Sequence, residues 1–224
     1  MATPDIDLNT VLKLYNVKKN QIKMTQRRGY RIDPRETQNV SSFDYFMRIY
    51  IPYARQNKKT LREVLSNVYL NSDGKPDFVV YFADVSPGST QLGVNESNEA
   101  IKYMRTYNVR KAVLITEKQL SPNASSKIDG LVAYNIQVFL EQEMAYDPTE
   151  HFLVPTHIPL TEEEQTKFLN ENEITIDQMP VIPVSDIIAR YYGMRAGQIF
   201  RIERENMYET MIVKSVAYKA IRDD

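Results

Sequence analysis

The first sixty residues carry two hydrophobic patterns of helical period. In the first, apolar residues recur every three or four positions after Asp5 or Asp7, either of which can cap the helix, and Gly29 is its predicted end. The second predicts a helix over residues 42–50, ended by Pro52. The apolar positions are Leu8, Val11, Leu12, Tyr15 and Ile22 in the first helix, and Phe43, Phe46, Met47 and Tyr50 in the second.

The middle of the chain changes to a strand pattern. Residues 65–70 and 78–82 are rich in β-forming side chains and flank an Asp-Gly dipeptide, which predicts a β-hairpin. From residue 95 onward helix and strand patterns alternate, so we expect an α/β layer with some parallel pairing. The predicted elements are a helix over residues 97–107, strands over 112–116 and 135–139, and a polar loop over 121–126 that leads into a short helix.

The last third of the chain predicts a separate small module. A boundary near Asp147-Pro148 divides the chain into domains 1–146 and 147–224. The second domain then reads as a mixed set of helices and strands, which predicts a compact α+β fold. Its predicted elements are a strand over 152–154, a helix capped by Thr161, a helix over 186–192 stopped by Gly193, and closing strands over 198–204 and 211–218.

The composition is that of an ordinary globular protein, and it excludes several kinds of functional site. The 224 residues are 42% hydrophobic and 25% charged. Because there is no cysteine, disulfides, thiolate zinc sites, iron–sulfur clusters and a cysteine nucleophile are excluded. The longest apolar run, residues 78–83, is too short to cross a membrane, and the first residues lack the pattern of a secretory signal. We therefore expect an intracellular protein without a membrane partner.

Charge is unevenly distributed along the chain although its net value is only −1. Residues 1–62 hold 13 lysines and arginines against 5 acidic residues, and the rest of the chain is mildly acidic. A basic segment of this kind indicates contact with a polyanion or an acidic partner subunit, or simply a solvated helix face. The charge pattern alone leaves these alternatives open.

Catalytic signatures are largely missing. The seven glycines form no nucleotide-binding motif, and residues 193–197 have the spacing of a nucleophile elbow with Arg195 where a serine would stand. His151 and His157 are spaced for neither a helical nor a finger-type zinc pair, and the acidic run 162–164 is typical of a helix start. We therefore predict no catalytic residue, no metal ligand and no cofactor.

One half of a nuclease motif is present. Pro76-Asp77 opens a strand as in metal-dependent nucleases, where a second acid and a lysine follow on the next strand with one residue between them. Here Glu117-Lys118 has no intervening residue, and no other pair downstream fits. A turn proline followed by an aspartate in an edge strand is a sufficient explanation.

The C-terminal part resembles a known family. The motifs that carry the resemblance follow one another in the family's order over some 70 residues. They are similar to the C-terminal half of subunit 5, which eukaryotic RNA polymerases I, II and III share, and to its archaeal counterpart, a small polymerase subunit that lacks the N-terminal domain. The matching segments are residues 151–158 and 160–164, 178–180, Asp186, 189–204 and 216–219.

The N-terminal part resembles the eukaryotic subunit more weakly. Residues 28–30 match an Arg-Gly-Tyr after the first helix, residues 120–127 match a Thr/Ser-Pro-x-Ala loop, and residues 139–143 match the approach to the second domain. Residues 31–95 align poorly, and residues 205–210 replace a glycine-containing turn of the family. These departures indicate a divergent copy, from a distant eukaryote or from a large DNA virus that carries its own polymerase.

The resemblance implies a non-catalytic subunit of a multisubunit DNA-directed RNA polymerase. Its N-terminal domain would be a jaw beside downstream double-stranded DNA, with a restriction-endonuclease-like α/β fold and no active site. Its C-terminal α+β domain would dock on the largest subunit, next to a small shared subunit. The DNA-proximal residues would be Ser121, Pro122, Asn123, Ala124 and Lys127, and those at the subunit interface Pro155, His157, Gly193, Arg195, Gly197, Tyr218 and Lys219.

Two rival functions remain open at this point. The first is a magnesium-dependent nuclease of the same fold, and the second is a free adaptor that works outside the polymerase. The resemblance implies the nucleus as the location of a cellular copy, and the virion or the infected-cell cytoplasm for a viral one.

Overall fold

The computed structural model describes residues 7–208 and 211–223, with the side chains of residues 206–213 left undescribed. The chain divides into two compact units between Tyr146 and Asp147. In the described part, no helix is long and apolar enough to span a membrane.

The N-terminal unit is a four-stranded sheet with helices. Its strands lie in the order β1-β2-β3-β4, where β1 and β2 are antiparallel and β2, β3 and β4 are parallel. This confirms the predicted hairpin and the predicted parallel pairing. The elements are α1 (Leu8–Arg27), α2 (Pro34–Asn39), α3 (Phe43–Asn57), α4 (Leu61–Leu65), β1 (Asn67–Leu70), β2 (Pro76–Ala83), α5 (Val94–Thr106), β3 (Lys111–Thr116), α6 (Pro122–Asp129) and β4 (Asn135–Leu140).

The core of this unit lies on the two central strands, β2 and β3, which are buried along nearly their whole length. On one face, side chains such as Val79 and Leu114 pack with Met104 of α5 and Ile128 of α6. On the other, the Lys18 ammonium of α1 lies 5.7 Å from the centre of the Phe82 ring. Helices therefore cover both faces, as a parallel sheet requires.

The predicted ends of α1 are confirmed. Asp7 caps the helix, and its carboxylate accepts hydrogen bonds from the backbone N–H groups of Asn9 and Thr10, each at 3.2 Å. At the other end Gly29 has a φ of 84°, a left-handed conformation that glycine adopts without strain.

Three local predictions in this unit are wrong. Helix α3 does not end before Pro52 but continues to Asn57. Proline lacks an N–H, so only the carbonyl of Arg48, four residues earlier, loses its helical hydrogen bond. Both residues are exposed, so a water molecule can donate to that carbonyl instead. Leu65 ends α4 rather than beginning a strand. Most of the predicted polar loop over 121–126 is helical, since α6 begins at Pro122.

The C-terminal unit is a second four-stranded sheet, in the order β5-β7-β8-β6. Its strands pair antiparallel except for β6 and β8. On one face of the sheet, Ile188 of α8 packs with the strand residue Phe200. On the other face, Phe168 of α7 packs with the strand residue Ile199. The elements are β5 (Thr156–Pro159), α7 (Glu162–Glu171), β6 (Val181–Pro183), α8 (Ile187–Tyr192), β7 (Ile199–Tyr208) and β8 (Met211–Arg222), with 3-10 turns at Pro148–Glu150 and Ile176–Gln178.

The helix signals of this unit are confirmed and one strand is wrong. Thr161 and Glu164 form a reciprocal capping box at the start of α7, and Gly193 ends α8 with a φ of 69°. Residues 152–154 form a turn instead of a strand, and the first strand begins at Thr156. The reason is that Phe152 and Leu153 are 87% and 71% exposed, so only Val154 of this apolar run packs against the core. The two sheets make a mixed α/β protein, compatible with the expected α+β module.

Candidate DNA-facing and docking surfaces

The segment predicted to lie near DNA is the start of helix α6. Ser121 caps the helix and accepts a hydrogen bond from the Ala124 N–H at 3.3 Å, while Pro122 takes the first helical position. The Leu92 backbone N–H donates to the Gln119 carbonyl and its carbonyl accepts from the Ser121 N–H, each at 2.9 Å, and these bonds hold the residues that lead into the cap. The start of α6 is therefore fixed by the cap and by these backbone hydrogen bonds.

The five predicted residues are not equally available to a ligand. Pro122, Asn123 and Lys127 are exposed, whereas the Ala124 side chain is completely buried. Because the Ala124 N–H already binds Ser121, Ala124 can position the helix but offers no contact of its own. Pro122, Asn123 and Lys127 are thus the residues of this set that solvent or a ligand reaches.

Lys127 shares a groove with two cations of α5. The groove has a volume of about 380 Å³ and contains Lys102, Arg105 and Lys127, with no acidic residue in its lining. Its remaining lining residues are Asn98, Ile101 and Leu131. Lys102 and Arg105 were missed in the sequence, although they lie three apart on a helix and so on one face. Their proximity to Lys127 depends on how α5 packs beside α6.

Part of the basic N-terminal segment is neutralised inside the fold. The Lys18 ammonium is fully buried and lies 2.6 Å from the Glu36 carboxylate. Lys13 and Arg62 both bind the buried carboxylate of Glu141, each at 2.7 Å. A solvated position is therefore wrong for Lys18, and the protein's own carboxylates bind all three of these cations.

The carboxylate of Asp77 takes part in structural contacts. It accepts hydrogen bonds from the Lys111 ammonium at 2.9 Å and from the Tyr30 hydroxyl at 3.1 Å. Other carboxylates follow the carboxyl ends of β2, β3 and β4, at the edge of the sheet opposite Asp77. Two of them, Glu117 and Glu141, bind Lys13 and Arg62. Burial opposes ionisation of Glu117, but the two cations outweigh it and hold the pKa of that carboxyl below its usual value.

No cluster of three metal-binding side chains occurs within the described ranges. Asp77 therefore belongs to no such cluster there, and its contacts in the fold are those with Lys111 and Tyr30.

Several of the predicted docking residues lie on or beside the α8 face of the second sheet. The His157 ring packs edge-on against Phe200, and its Nδ1 lies 2.7 Å from the Pro155 carbonyl oxygen. Lys219 is directly opposite Phe200 in the strand register. Arg195 is exposed in the turn that follows α8.

The two glycines and Tyr218 serve the fold itself. Gly193 caps α8, and Gly197 has a φ of 87° and donates its N–H to the Ile221 carbonyl at 3.0 Å. The Tyr218 ring stacks on Phe168 at 4.0 Å between centres, so it lies on the α7 face. The pleat of β8 thus sends Tyr218 and Lys219 to opposite faces of the sheet.

An exposed apolar pair stands beside the predicted docking residues. Phe152 and Leu153 precede Pro155 and expose most of their surface. Exposed apolar side chains next to each other are a common feature of surfaces that bind other proteins. This pair was missed as a functional candidate because the same residues had been assigned to a strand.

The comparison with family models matches the C-terminal unit. Residues 146–221 match the family "RNA polymerase Rpb5, C-terminal domain". The C-terminal module is therefore similar to the Rpb5 family over nearly its whole length. Five motifs in the family's order had predicted this relationship, and the match covers nearly all of the second sheet.

Similarity to full-length relatives extends the relationship to Rpb5 across the chain. The subunit RPABC1 of DNA-directed RNA polymerases I, II and III from Caenorhabditis elegans is 28% identical over 207 residues, covering 89% of this chain and 92% of the relative. The Caenorhabditis briggsae protein of the same name is 27% identical with the same coverage. The Arabidopsis thaliana "DNA-directed RNA polymerase subunit 5-like protein 1" is 27% identical over 203 residues, covering 90% and 93%. The predicted resemblance to shared subunit 5 is thereby confirmed.

Proposed function

We propose that this chain acts at two places in a multisubunit DNA-directed RNA polymerase, of which it is a non-catalytic subunit. The N-terminal unit lies against downstream double-stranded DNA, and the C-terminal module docks on the largest subunit beside a small shared subunit. Polymerisation belongs to the partner chains. The observation that carries the proposal is the Rpb5 family match of the module, together with similarity to polymerase subunits over nine-tenths of the chain.

The α5–α6 groove supports the DNA contact. Lys102, Arg105 and Lys127 offer three cations without a competing carboxylate in the lining, which suits the phosphate backbone of a duplex. Lysine and arginine side chains commonly contact phosphate, which positions a protein on DNA without reading sequence, so we expect contacts to phosphate without sequence preference. Such binding is weak and falls steeply as salt rises.

The exposed apolar pair supports the docking contact. Phe152 and Leu153 supply the apolar surface that stable interfaces bury at their centre. Exposed Arg195 and partly buried Lys219 add cations that carboxylates of the largest subunit can bind. The proposed docking surface is therefore the segment 152–157 and the α8 side of the module.

Docking is tested with the full-length chain carrying an affinity tag. We expect Phe152→Ser/Leu153→Ser to reduce co-purification of the largest polymerase subunit at least fivefold, measured by quantitative mass spectrometry. The matched control is Val132→Ser, which changes a residue that is 93% exposed in the N-terminal unit. Equal recovery of the largest subunit with both variants would contradict the docking assignment.

The DNA contact is tested in the assembled polymerase. We expect Lys102→Glu/Arg105→Glu/Lys127→Glu to assemble normally and to shorten the salt-resistant lifetime of the elongation complex. Each lost phosphate contact lowers the slope of log affinity against log salt by about 0.9. The control, Arg55→Glu/Lys58→Glu/Lys59→Glu, reverses three exposed charges near the end of α3. If both variants match the unmodified complex over a salt series, the DNA assignment is wrong.

The two rival functions have their own tests. Magnesium-dependent cleavage of DNA by the purified chain, lost in Asp77→Asn, would favour a nuclease. A polymerase that lacks this chain in cells that express it would favour a free adaptor. The location follows from the assignment: the nucleus for a cellular copy, and the virion or infected-cell cytoplasm for a viral one.

A further inference from the structure

A second, larger groove lies in the N-terminal unit and is lined by a different set of residues. It has a volume of about 850 Å³ and runs between strand β1 and helix α3. The segment 31–36 closes one side, and Val64 and residues 67–70 form the other. A cavity of this size accommodates several residues of an extended peptide.

Strand β1 presents its open edge to this groove. It is the outermost strand of the sheet and pairs with β2 on its inner side. On its outer side the described residues form one isolated bridge, between Arg31 and Leu70. All four residues of β1 line the groove. An open edge of this kind is a template on which another extended segment can form backbone hydrogen bonds.

Apolar side chains stand exposed along the same groove. Ile49, Tyr53 and Leu70 are 37%, 53% and 41% exposed, although each has a large hydrophobic surface. Ile49 and Tyr53 are four residues apart in α3 and therefore lie on one face of that helix. A bound strand would face this wall and bury its alternate side chains against it.

The charge left at the groove is positive. Arg31 and Arg35 are lining residues that reach solvent. The two acidic lining residues are already engaged, because Glu36 binds Lys18 at 2.6 Å and Asp33 caps α2 by accepting a hydrogen bond from the Arg35 N–H at 2.8 Å. An occupant with acidic side chains would therefore complement the groove.

We propose that this groove binds an extended, acidic segment of a partner protein, which adds to the sheet as a fifth strand beside β1. A second copy of this chain fits less well, since pairing two β1 edges would bring Arg31 and Arg35 of both copies to one seam, where like charges repel. The proposal rests on the groove itself and does not depend on the polymerase assignment.

The test begins with a phage-displayed library of random twelve-residue peptides, selected against the full-length chain. We expect the selected peptides to combine β-branched or aromatic residues at alternate positions with acidic flanks. A synthetic peptide of the selected sequence should protect the amides of residues 67–70 from hydrogen exchange. Selection without an acidic preference, or protection confined to other residues, would overturn the proposal.

Paired variants then test the side chains of the groove. We expect Arg31→Glu/Arg35→Glu and Ile49→Ala/Tyr53→Ala each to weaken binding of the selected peptide about tenfold or more. None of the four residues is buried, so the variants should keep the fold. The control is Arg48→Glu/Arg55→Glu, which reverses two exposed charges of α3 outside the lining. Equal effects of the control and test variants would contradict the site. Concentration-dependent dimers that Tyr53→Ala abolishes would show that the occupant is a second copy, and would also overturn the proposal.

Discussion

The two units of the chain place their charges differently. In the N-terminal unit, Lys18 is fully buried against Glu36, and the Glu141 carboxylate is fully buried against Lys13 and Arg62. In the C-terminal unit, by contrast, four ion pairs join side chains that are each at least 40% exposed. These pairs are Lys167–Glu171, Arg201–Glu203, Lys214–Glu205 and Arg222–Asp177.

This comparison distinguishes interactions between residues far apart in sequence from interactions within one helical turn. The buried pairs of the N-terminal unit join residues far apart in sequence, such as Arg62 and Glu141, which are 79 positions apart. The helices of the C-terminal unit are delimited by interactions within a single turn, such as the capping box of Thr161 and Glu164. A device within one turn leaves a readable pattern in the sequence, whereas a pair so widely separated leaves none.

The largest effect should come from breaking the buried pair of the N-terminal unit. Lys18→Met removes the cation that lies 2.6 Å from Glu36 and also donates to the Leu65 carbonyl at 2.9 Å. Stranding a buried carboxylate typically costs about 3–5 kcal/mol of unfolding free energy, measured by urea denaturation. Lys19→Met, an exposed neighbour, should change it by no more than about 0.5 kcal/mol.

A double variant identifies the cause of that loss. Burial opposes ionisation of Glu36, but the charge of Lys18 outweighs it and holds the pKa of the carboxyl below its usual value. Without Lys18, a charged Glu36 carboxylate remains buried with no cation beside it. Glu36→Gln removes that charge, so Lys18→Met/Glu36→Gln should recover at least half of the unfolding free energy that Lys18→Met loses. If the double variant is as unstable as Lys18→Met, lost packing rather than the stranded charge is responsible.

The same contrast explains which features could be predicted from the sequence. Asp7, Thr161 and Gly193 each act within one helical turn. Thr161 was correctly predicted as a cap and Gly193 as a stop, and Asp7 was one of the two caps predicted for α1. The hairpin at Asp73-Gly74 was equally readable. Local patterns misled where burial decides the outcome, as for the exposed apolar pair Phe152 and Leu153.

The candidate sites show the same distinction between features marked by a local sequence motif and features formed only by packing. Ser121, Pro122 and Lys127 could be found because a family loop marks them. Lys102 and Arg105 could not, since only the packing of α5 beside α6 brings them into the groove of Lys127. The groove at β1 was missed for the same reason, because its walls come from residues 31–70 of four elements and the connecting segment.

A smaller effect should follow from breaking a local device in the C-terminal unit. Thr161→Ala removes the side chain that accepts a hydrogen bond from the Glu164 N–H at 3.3 Å, and loss of an N-cap costs about 1 kcal/mol. The unfolding free energy from urea denaturation checks this value. Thr166→Ala is the control, because that exposed threonine lies inside the same helix. A Thr161→Ala loss as large as that of Lys18→Met would contradict the contrast between the two units.

The smallest effect concerns the pH response of the C-terminal unit. Partial burial lowers the pKa of His157, and Lys219 and Arg204 lower it further, against the hydrogen bond to Pro155 and the charge of Asp186. The folded unit therefore favours the neutral ring. In the unfolded chain the histidine binds protons near its ordinary pKa of 6.5, so its contribution to stability is complete above pH 6.5 and is lost as the pH falls toward the folded value.

Melting curves at about pH 7.5 and 5.5, on either side of the ordinary histidine pKa, test this response. Wild type should lose more thermal stability on acidification than His157→Gln, whereas His151→Gln, which changes an exposed histidine, should behave like wild type. The difference should be small because the ring is only partly buried and solvent screens its charge. Hydrogen exchange should confine it to the β5–β7 pair, where His157 is paired with Ile202. An equal loss in wild type and His157→Gln would mean that the pH response of the module comes from other groups, and that its charges act only at the surface.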